Sequence, residues 1–266
     1  MSRRFEGKRV AVTGGGAHTD RAIGIGEATA QLLADEGADV AVIDVDSQMA
    51  DRTVATLDGD EHLAIECDVT DDAAVESAFR RIGDEWGGLD VLVNNVGTRI
   101  DAGPLPEAEE AAIDQIVDIN LQGIARCCKH AIPKLDEGSA IVNVASANAT
   151  IGREEWSLYD ATKAGVVALT RDIACDHADH GIRANAVSPG WTITDYHLGD
   201  LEDDEAYERI ADATTRREDG PAILKRHAHP SELAEGIAFL ASDQASFVTG
   251  TTLDVDGGMT AVGRHL

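Results

Sequence analysis

Seven short apolar runs are strung along this chain, most followed by a stretch of helical period, and that alternation restricts the fold more than any other feature. Residues 8–13, 38–43, 62–66, 90–93, 140–145, 183–187 and 251–255 read as strands, and 24–36, 72–86, 109–135 and 156–180 as helices. Strands that are apolar at nearly every position are buried on both faces, as in a parallel sheet. Strand–helix alternation then predicts a doubly wound α/β domain. No linker, low-complexity stretch or internal repeat divides the 266 residues, so one domain over 1–266 is expected. The segment 192–230 lacks clear periodicity; it is acidic and polar, with Leu198, Leu201, Tyr207 and Ile210 at intervals. A long segment of this kind after a strand's carboxyl end is expected to form a substrate lid.

Charge narrows the partners. Lys and Arg number 22 against 49 Asp and Glu, a formal net charge of −27. Such a field repels phosphates, which excludes nucleic acid and anionic membrane surfaces. No stretch approaches the roughly 20 apolar residues of a membrane span, and no apolar segment follows the first basic residues as a secretory signal requires. A cytoplasmic protein is expected. The acidic residues are spread along the whole chain, which suits solubility in concentrated salt. Cys67, Cys127, Cys128 and Cys175 form no C-x-x-C pair, and the nine histidines have no metal-ligand spacing. Buried reduced thiols and no metal site follow. His227 and His229 read as structural or solvated.

The chemistry is carried by Tyr159, Lys163 four residues later and Ser146 thirteen residues earlier. Positions i and i+4 of a helix share a face, so an ammonium can lie beside the phenol and favour its ionised form. Ser146 ends the apolar run 140–145, at the strand end where open α/β sheets hold ligands. A hydroxyl, a phenol and an ammonium converging there can move a proton to or from an alcohol or carbonyl oxygen.

The first strand runs into Gly14-Gly15-Gly16, and Gly24-Ile25-Gly26 opens the next helix. Glycines in such a turn let backbone approach a pyrophosphate resting on the helix N-terminus. Asp44 ends the second strand, eighteen residues after Gly26. An acid there suits a ribose 2′-hydroxyl and repels a 2′-phosphate, which favours NAD over NADP.

Thr13-Gly14 with Gly24-Ile25-Gly26, Asn94-Asn95-Val96-Gly97, Asn120, Ser146, Tyr159-x-x-x-Lys163, Pro189-Gly190, 247–250 and Asp256-Gly257-Gly258 occur in that order. Over essentially its whole length the chain resembles the short-chain dehydrogenase/reductase family. The resemblance implies a seven-stranded parallel sheet of Rossmann type, a nicotinamide cofactor and a homotetramer. It implies that Gly14 and Ile25 border the diphosphate, Asp68 and Val69 the adenine, and Asn94 and Gly97 the adenosine ribose, with Asn95 also in the cofactor site. Asn120 would hold a water linking Lys163 to solvent, Ser146 would orient the substrate oxygen, and Tyr159 would be the acid/base. Lys163 would also bind the nicotinamide ribose, with Tyr159 beside it. Pro189, Thr192 and Thr194 would meet the carboxamide side. One departure stands out: nine residues, 15–23, separate Gly14 from the Gly-Ile-Gly unit, where the family usually has three. The excess is expected to bulge beside the phosphates, with Arg21 near them.

Substrate contacts are expected from Ser146, Asn148, Trp156, Tyr159 and Trp191, with Glu154, Tyr196 and His197 nearby and Arg99 at the rim. Their polarity suits a sugar, polyol or small hydroxy acid. A 3-oxoacyl reductase is the alternative enzyme, and a non-catalytic nicotinamide-sensing protein the alternative of another class.

Overall fold

Every expected strand forms. Arg9–Thr13 (β1), Asp39–Asp44 (β2), Leu63–Glu66 (β3), Leu89–Asn94 (β4), Leu135–Val144 (β5), Arg183–Pro189 (β6) and Thr252–Val255 (β7) build one sheet. The order is β3-β2-β1-β4-β5-β6-β7, and every pair is parallel. This computed structural model describes residues 3–19, 22–59, 61–100, 103–198 and 201–261, leaving aside the side chains of Tyr196 and Asp203. The helices are Ile25–Asp35 (α1), Ser47–Val54 (α2), Asp72–Trp86 (α3), Glu110–Val117 (α4), Gly123–Ala131 (α5), Ser157–Asp176 (α6), Asp203–Thr214 (α7) and Pro230–Ala241 (α8). Because side chains alternate across a strand, β1 sends Val10 and Val12 to one face and Ala11 to the other. The first face packs on Leu33 of α1 and Leu233 and Ile237 of α8. The second packs on Phe79 and Ile82 of α3, Ile124 of α5 and Ile173 of α6.

Local chemistry sets the boundaries. The Asp71 side chain accepts hydrogen bonds from Ala73 N and Ala74 N at the start of α3, and Gly87, at φ 79°, ends it. The expected helix 109–135 is interrupted. A π-turn at Asp118–Gln122 joins α4 to α5, and Pro133 sits in a 3-10 turn at Ile132–Lys134. β5 therefore begins at Leu135 rather than 140, and its register with β4 shifts between Leu89 and Val91.

Three helices, α2, α7 and α8, exceed the expectation. α8 had signals: Pro230 at its first turn, Glu232 bonding back to His229 N (2.9 Å), and Leu233, Ile237 and Leu240 on one face. α7 lies inside the segment expected to be aperiodic. It is buried through Ala206 and Ala213, which pack with Ile193 and Leu198, and small apolar residues give a faint period. No helix among the described residues is long and apolar enough to cross a membrane.

Candidate active site

β1 is flanked by β2 on one side and β4 on the other. Chain connections diverge there, which opens a crevice at the strands' carboxyl ends. A cleft of about 1380 Å³ occupies that position, lined by both the glycine turn and the Ser146–Tyr159–Lys163 group.

The turn is built tightly. Gly14 has φ +62°, and its carbonyl accepts Asn95 Nδ2 at 2.8 Å. A Cβ on Gly26 would lie 2.1 Å from the Gly14 oxygen, so only glycine lets α1 begin this close to β1. Gly14, Ile25, Asp44, Asp68, Val69, Asn95, Gly97, Pro189, Thr192 and Thr194 all line the cleft. The buried Asp44 carboxylate accepts Gly16 N at 3.0 Å and Asp46 N at 3.3 Å, which fixes it at the end of β2. Asp68 accepts both the amide (2.9 Å) and the hydroxyl (2.8 Å) of Thr70. A glycine cradle, a helix N-terminus and an acid at the next strand's end fit a dinucleotide by shape and by donor chemistry.

Asn94 is a correction. It is fully buried away from the cleft, donating to Asn143 Oδ1 at 2.8 Å and Cys128 Sγ at 3.2 Å. It ties β4 to β5 and does not border a ribose. The reason is strand parity: Asn95, the next residue, points to the glycine turn.

The described part of the insertion packs on α2, while His18 and Ala22 line the cleft beside the glycine turn. Ala17 N donates to Met49 O at 3.1 Å, Arg52 donates to Ala17 O at 2.9 and 3.1 Å, and Thr53 donates to Gly15 O at 2.8 Å. Thr19 Oγ1 donates to Asp195 Oδ1 at 2.6 Å, and Ala22 joins the apolar cluster of α7. Arg21 lies outside the described residues.

At the other end of the cleft, Ser146 caps a 3-10 turn at Ala147–Ala149, accepting Asn148 N at 3.2 Å. Asn148 Nδ2 lies 3.4 Å from the Ser146 hydroxyl, while Asn148 Oδ1 is buried with no hydrogen-bond partner among the described residues. Tyr159 and Lys163 share one face of α6 as expected, but the electrostatics differ from the sequence-based expectation. The Lys163 amine is buried, donates to Val144 O at 2.9 Å and lies 5.9 Å from the centre of the tyrosine ring. Burial pushes its pKa down to about 8. Tyr159 is held above the usual tyrosine range, mainly by burial, opposed by Arg99, Ser146 and Arg153. Arg99 and Arg153 both draw the phenol toward ionisation. One of the three N–H donors of Lys163 goes to a backbone carbonyl.

Asn120 sits in the π-turn, where Gly123 N reaches back to Asp118 O. It is buried and locked to the loop after β4: Thr98 N donates to its Oδ1 at 2.8 Å, and its Nδ2 donates to Thr98 O at 2.9 Å. A Cβ on Gly97 would lie 3.1 Å from Lys163 Nζ and 3.7 Å from Asn120 Oδ1, so a glycine keeps the small space between these two groups open. π-turns recur at functional sites because they re-aim a single residue.

Of the expected substrate contacts, Ser146, Asn148, Tyr159, Trp191, His197 and Arg99 line the cleft. Trp191 is 44% exposed, with its ring 6.0 Å from His227, so His227 packs rather than standing in solvent. Trp156 is a correction: it lies outside the lining, edge-on to Tyr159 at 6.1 Å, with Arg153 stacked 4.2 Å from its ring centre. Glu154 points to solvent for the same reason, since the chain turns at Glu155, with φ 67°, between Arg153 and Trp156. The Tyr196 side chain lies outside the described residues. Arg153 lines the cleft although nothing in the sequence pattern singles it out. Its one signal is a basic residue in the short loop between Ser146 and Tyr159.

Comparison with known proteins agrees with this geometry. A family model described as enoyl-(acyl carrier protein) reductase matches residues 16–260. The cis-4-hydroxycyclohexanecarboxylate dehydrogenase of Sinomonas cyclohexanicum is 43% identical over 96% of this chain and 98% of its own length. The meso-2,3-butanediol dehydrogenase of Serratia marcescens is 36% identical over 97% and 96%. The solved structure of ligand-free aldohexose dehydrogenase from Thermoplasma acidophilum superposes with a TM-score of 0.81 at 31% identity, covering 99% of this chain and 98% of that one.

Proposed function

Because the chain belongs to the short-chain dehydrogenase/reductase family, we propose that Tyr159 is the acid/base of its reaction, with Ser146, Lys163 and Asn120 in support. The enzyme is an oxidoreductase that uses a nicotinamide cofactor on a secondary alcohol or its carbonyl. The observation that carries the proposal is the meeting of Ser146, Tyr159 and a buried lysine in the same cleft as the glycine cradle.

The nicotinamide, when bound, accepts or returns the hydride. The chain's own residues handle the proton and the oxygen. In oxidation the Tyr159 phenolate takes the hydroxyl proton. Ser146 Oγ donates to the substrate oxygen as its charge changes, a contribution of the oxyanion-hole kind. Lys163 holds a cation below the cleft floor, and Asn120 supports the water through which that amine exchanges protons with solvent. Asn148 Oδ1, buried without a partner among the described residues, suits a second hydroxyl on the substrate. Gly14, Ile25 and Gly97 would approach the dinucleotide through backbone. Asp68, Val69 and Asn95 would border the adenosine, and Pro189, Thr192 and Thr194 the carboxamide.

The substrate is a sugar, polyol or small hydroxy acid. The hydroxyl of Ser146 and the amide of Asn148 beside Tyr159 support this, and so do relatives whose names specify a hydroxycyclohexanecarboxylate, a butanediol and an aldohexose. The description of the matching family model favours an acyl-chain substrate as a second reading. The acidic surface stands against it, and the four-residue Tyr159-to-Lys163 spacing stands against an enoyl reductase in particular. The segment 192–230 serves as the lid over this substrate.

The cofactor is NAD rather than NADP, since the carboxylate of Asp44 lines the cleft and would meet a 2′-phosphate with like charge. NADP is expected to bind about 100-fold more weakly than NAD, and Asp44→Ser to narrow that ratio. Fluorescence titration of NADH and NADPH into both proteins reads the ratio directly; equal affinities for the wild type reject Asp44 as the selector.

The protein works in the cytoplasm as a homotetramer adapted to concentrated salt. Family habit and the fully exposed Phe247 support association, and the charge of −27 supports the adaptation. Sedimentation equilibrium and circular dichroism are expected to show a folded tetramer in molar salt that loosens as salt is withdrawn. A monomer, or indifference to salt, would remove the corresponding half of the proposal.

A further inference from the structure

We propose that Arg153 is a positioning residue for Tyr159, clamped by Trp156 and Asp160 so that its fixed positive charge favours the phenolate form of the reacting side chain. This role rests on Tyr159 being the acid/base of the reaction. Part of the electrostatic task that the helix repeat gives to Lys163 then falls to an arginine from a loop.

The clamp is built where the chain enters α6. Glu155 has φ 67°, in the left-handed region that side chains rarely adopt, and the turn there brings Arg153 back onto Trp156. Trp156 and Tyr159 meet edge-on, with ring planes at 88° and centres 6.1 Å apart. The Arg153 guanidinium reaches both rings, its Cζ 4.2 Å from the centre of the indole and 5.3 Å from that of the phenol. Both distances fall within the ~6 Å over which a cation is attracted to an aromatic face. Asp160 closes the clamp from the first turn of α6. It accepts Arg153 Nε at 3.2 Å and Nη2 at 3.0 Å. The two side chains are only 19% and 13% exposed, so the pair is a fixed one and not a loose surface contact. A planar guanidinium stacked on one ring and forked onto a carboxylate has little freedom to swing away.

The carboxylate that holds Arg153 does not cancel its charge at the phenol. There the pull of Arg153 toward ionisation outweighs the opposing push of Asp160. The other groups that face Tyr159 come from three elements. Arg99 stands in the loop after β4, with Nη1 3.4 Å from His197 Nε2, and the Ser146 hydroxyl follows β5. Lys163 belongs to α6 itself, its amine 5.9 Å from the ring centre and bonded to Val144 O. Within this set Arg153 and Asp160 are joined to each other yet act on the phenol with opposite sign. Removing one half of the pair must therefore move Tyr159 one way, and removing the other half must move it back. A loop arginine that only packed against Trp156 would give no such opposition.

The test is an ultraviolet titration of Tyr159 in the free protein, read as phenolate absorbance minus that of the same protein carrying Tyr159→Phe. It is paired with the pH profile of NAD-linked oxidation of the best substrate in a panel of sugars, polyols and hydroxy acids. Arg153→Met is expected to move the phenol's midpoint, and the rise in kcat, to higher pH. At any one pH below the midpoint the ionised fraction falls about tenfold, the lower end of what one opposite charge nearby produces. Asp160→Asn is expected to move both to lower pH, because it keeps an acceptor for the guanidinium and removes the opposing charge. Arg153→Lys should restore part of the wild-type midpoint. A midpoint that ignores Arg153→Met, or shifts of the same sign in Arg153→Met and Asp160→Asn, overturns the role. If Arg153→Met fails to fold, Asp160→Asn decides alone, and an unmoved or raised midpoint overturns it. Opposite shifts of the phenol that the oxidation profile does not follow retain the clamp and remove Tyr159 as the acid/base.

Discussion

Tyr159→Phe is expected to lower kcat by about 10²–10⁴-fold while leaving cofactor affinity close to that of wild type. The substitution keeps the ring, and with it the edge-on contact to Trp156 at 6.1 Å, so the packing of α6 is preserved. It removes the oxygen proposed to exchange the proton with the substrate. Burial holds the phenol above the usual tyrosine range in the free enzyme. At neutral pH Tyr159 is therefore the acid, ready for carbonyl reduction, and must lose its proton before it can serve alcohol oxidation. The wild-type oxidation rate is expected to climb as pH rises above neutrality, and the residual rate of Tyr159→Phe to lose that slope. Initial rates against pH in both directions check this. Wild-type turnover in the variant, or an unchanged slope, rejects Tyr159 as the acid/base.

Lys163→Met is expected to abolish most activity and, at the same time, to make the free protein harder to unfold at pH 7. The amine is buried, and its pKa falls from 10.5 to about 8. The folded state thus binds its proton less tightly than the unfolded state does. Below the folded value both states are protonated and the folded one carries the full desolvation cost. Between about 8 and 10.5 the unfolded chain holds more protons, so this group's contribution to stability improves as pH rises. At about 1.4 kcal/mol per unit, the cost at neutrality is about 3 kcal/mol. Methionine removes that cost but leaves the Val144 carbonyl without its donor, which gives back about 1 kcal/mol or more. The net gain is expected as a rise of several degrees in Tm at pH 7 that shrinks toward pH 10. A variant less stable than wild type at pH 7 would mean that the hydrogen bond at 2.9 Å outweighs the burial. Stability given up at a catalytic group in this way is a common cost of function.

Much of this architecture could be read from the sequence because its signals are local. Apolar runs set the strands, Asp71 and Gly87 set the ends of α3, and glycine spacing set the turn over α1. The Tyr159–Lys163 pair was legible because the helix repeat alone places it on one face. What escaped depended on contacts between distant segments. Asn94 and Asn95 are neighbours with the same chemistry, yet strand parity buries one between β4 and β5 and sends the other to the Gly14 carbonyl. The part that Arg99 and Arg153 play in the charge on Tyr159 could not be read from spacing, because both come from loops outside the i+4 pattern. Arg153 escaped because its role depends on Trp156 and Asp160 holding it in place.

The longer glycine turn carries a mechanical consequence. Its tip is fastened to Asp195 through Thr19, and Ala22 is embedded among the apolar side chains of α7. Its base is stitched to α2 through Ala17. The glycine turn and the segment that carries Asp195 and α7 are therefore mechanically linked. Any displacement of one of them would break the Thr19–Asp195 hydrogen bond and pull Ala22 from its apolar neighbours.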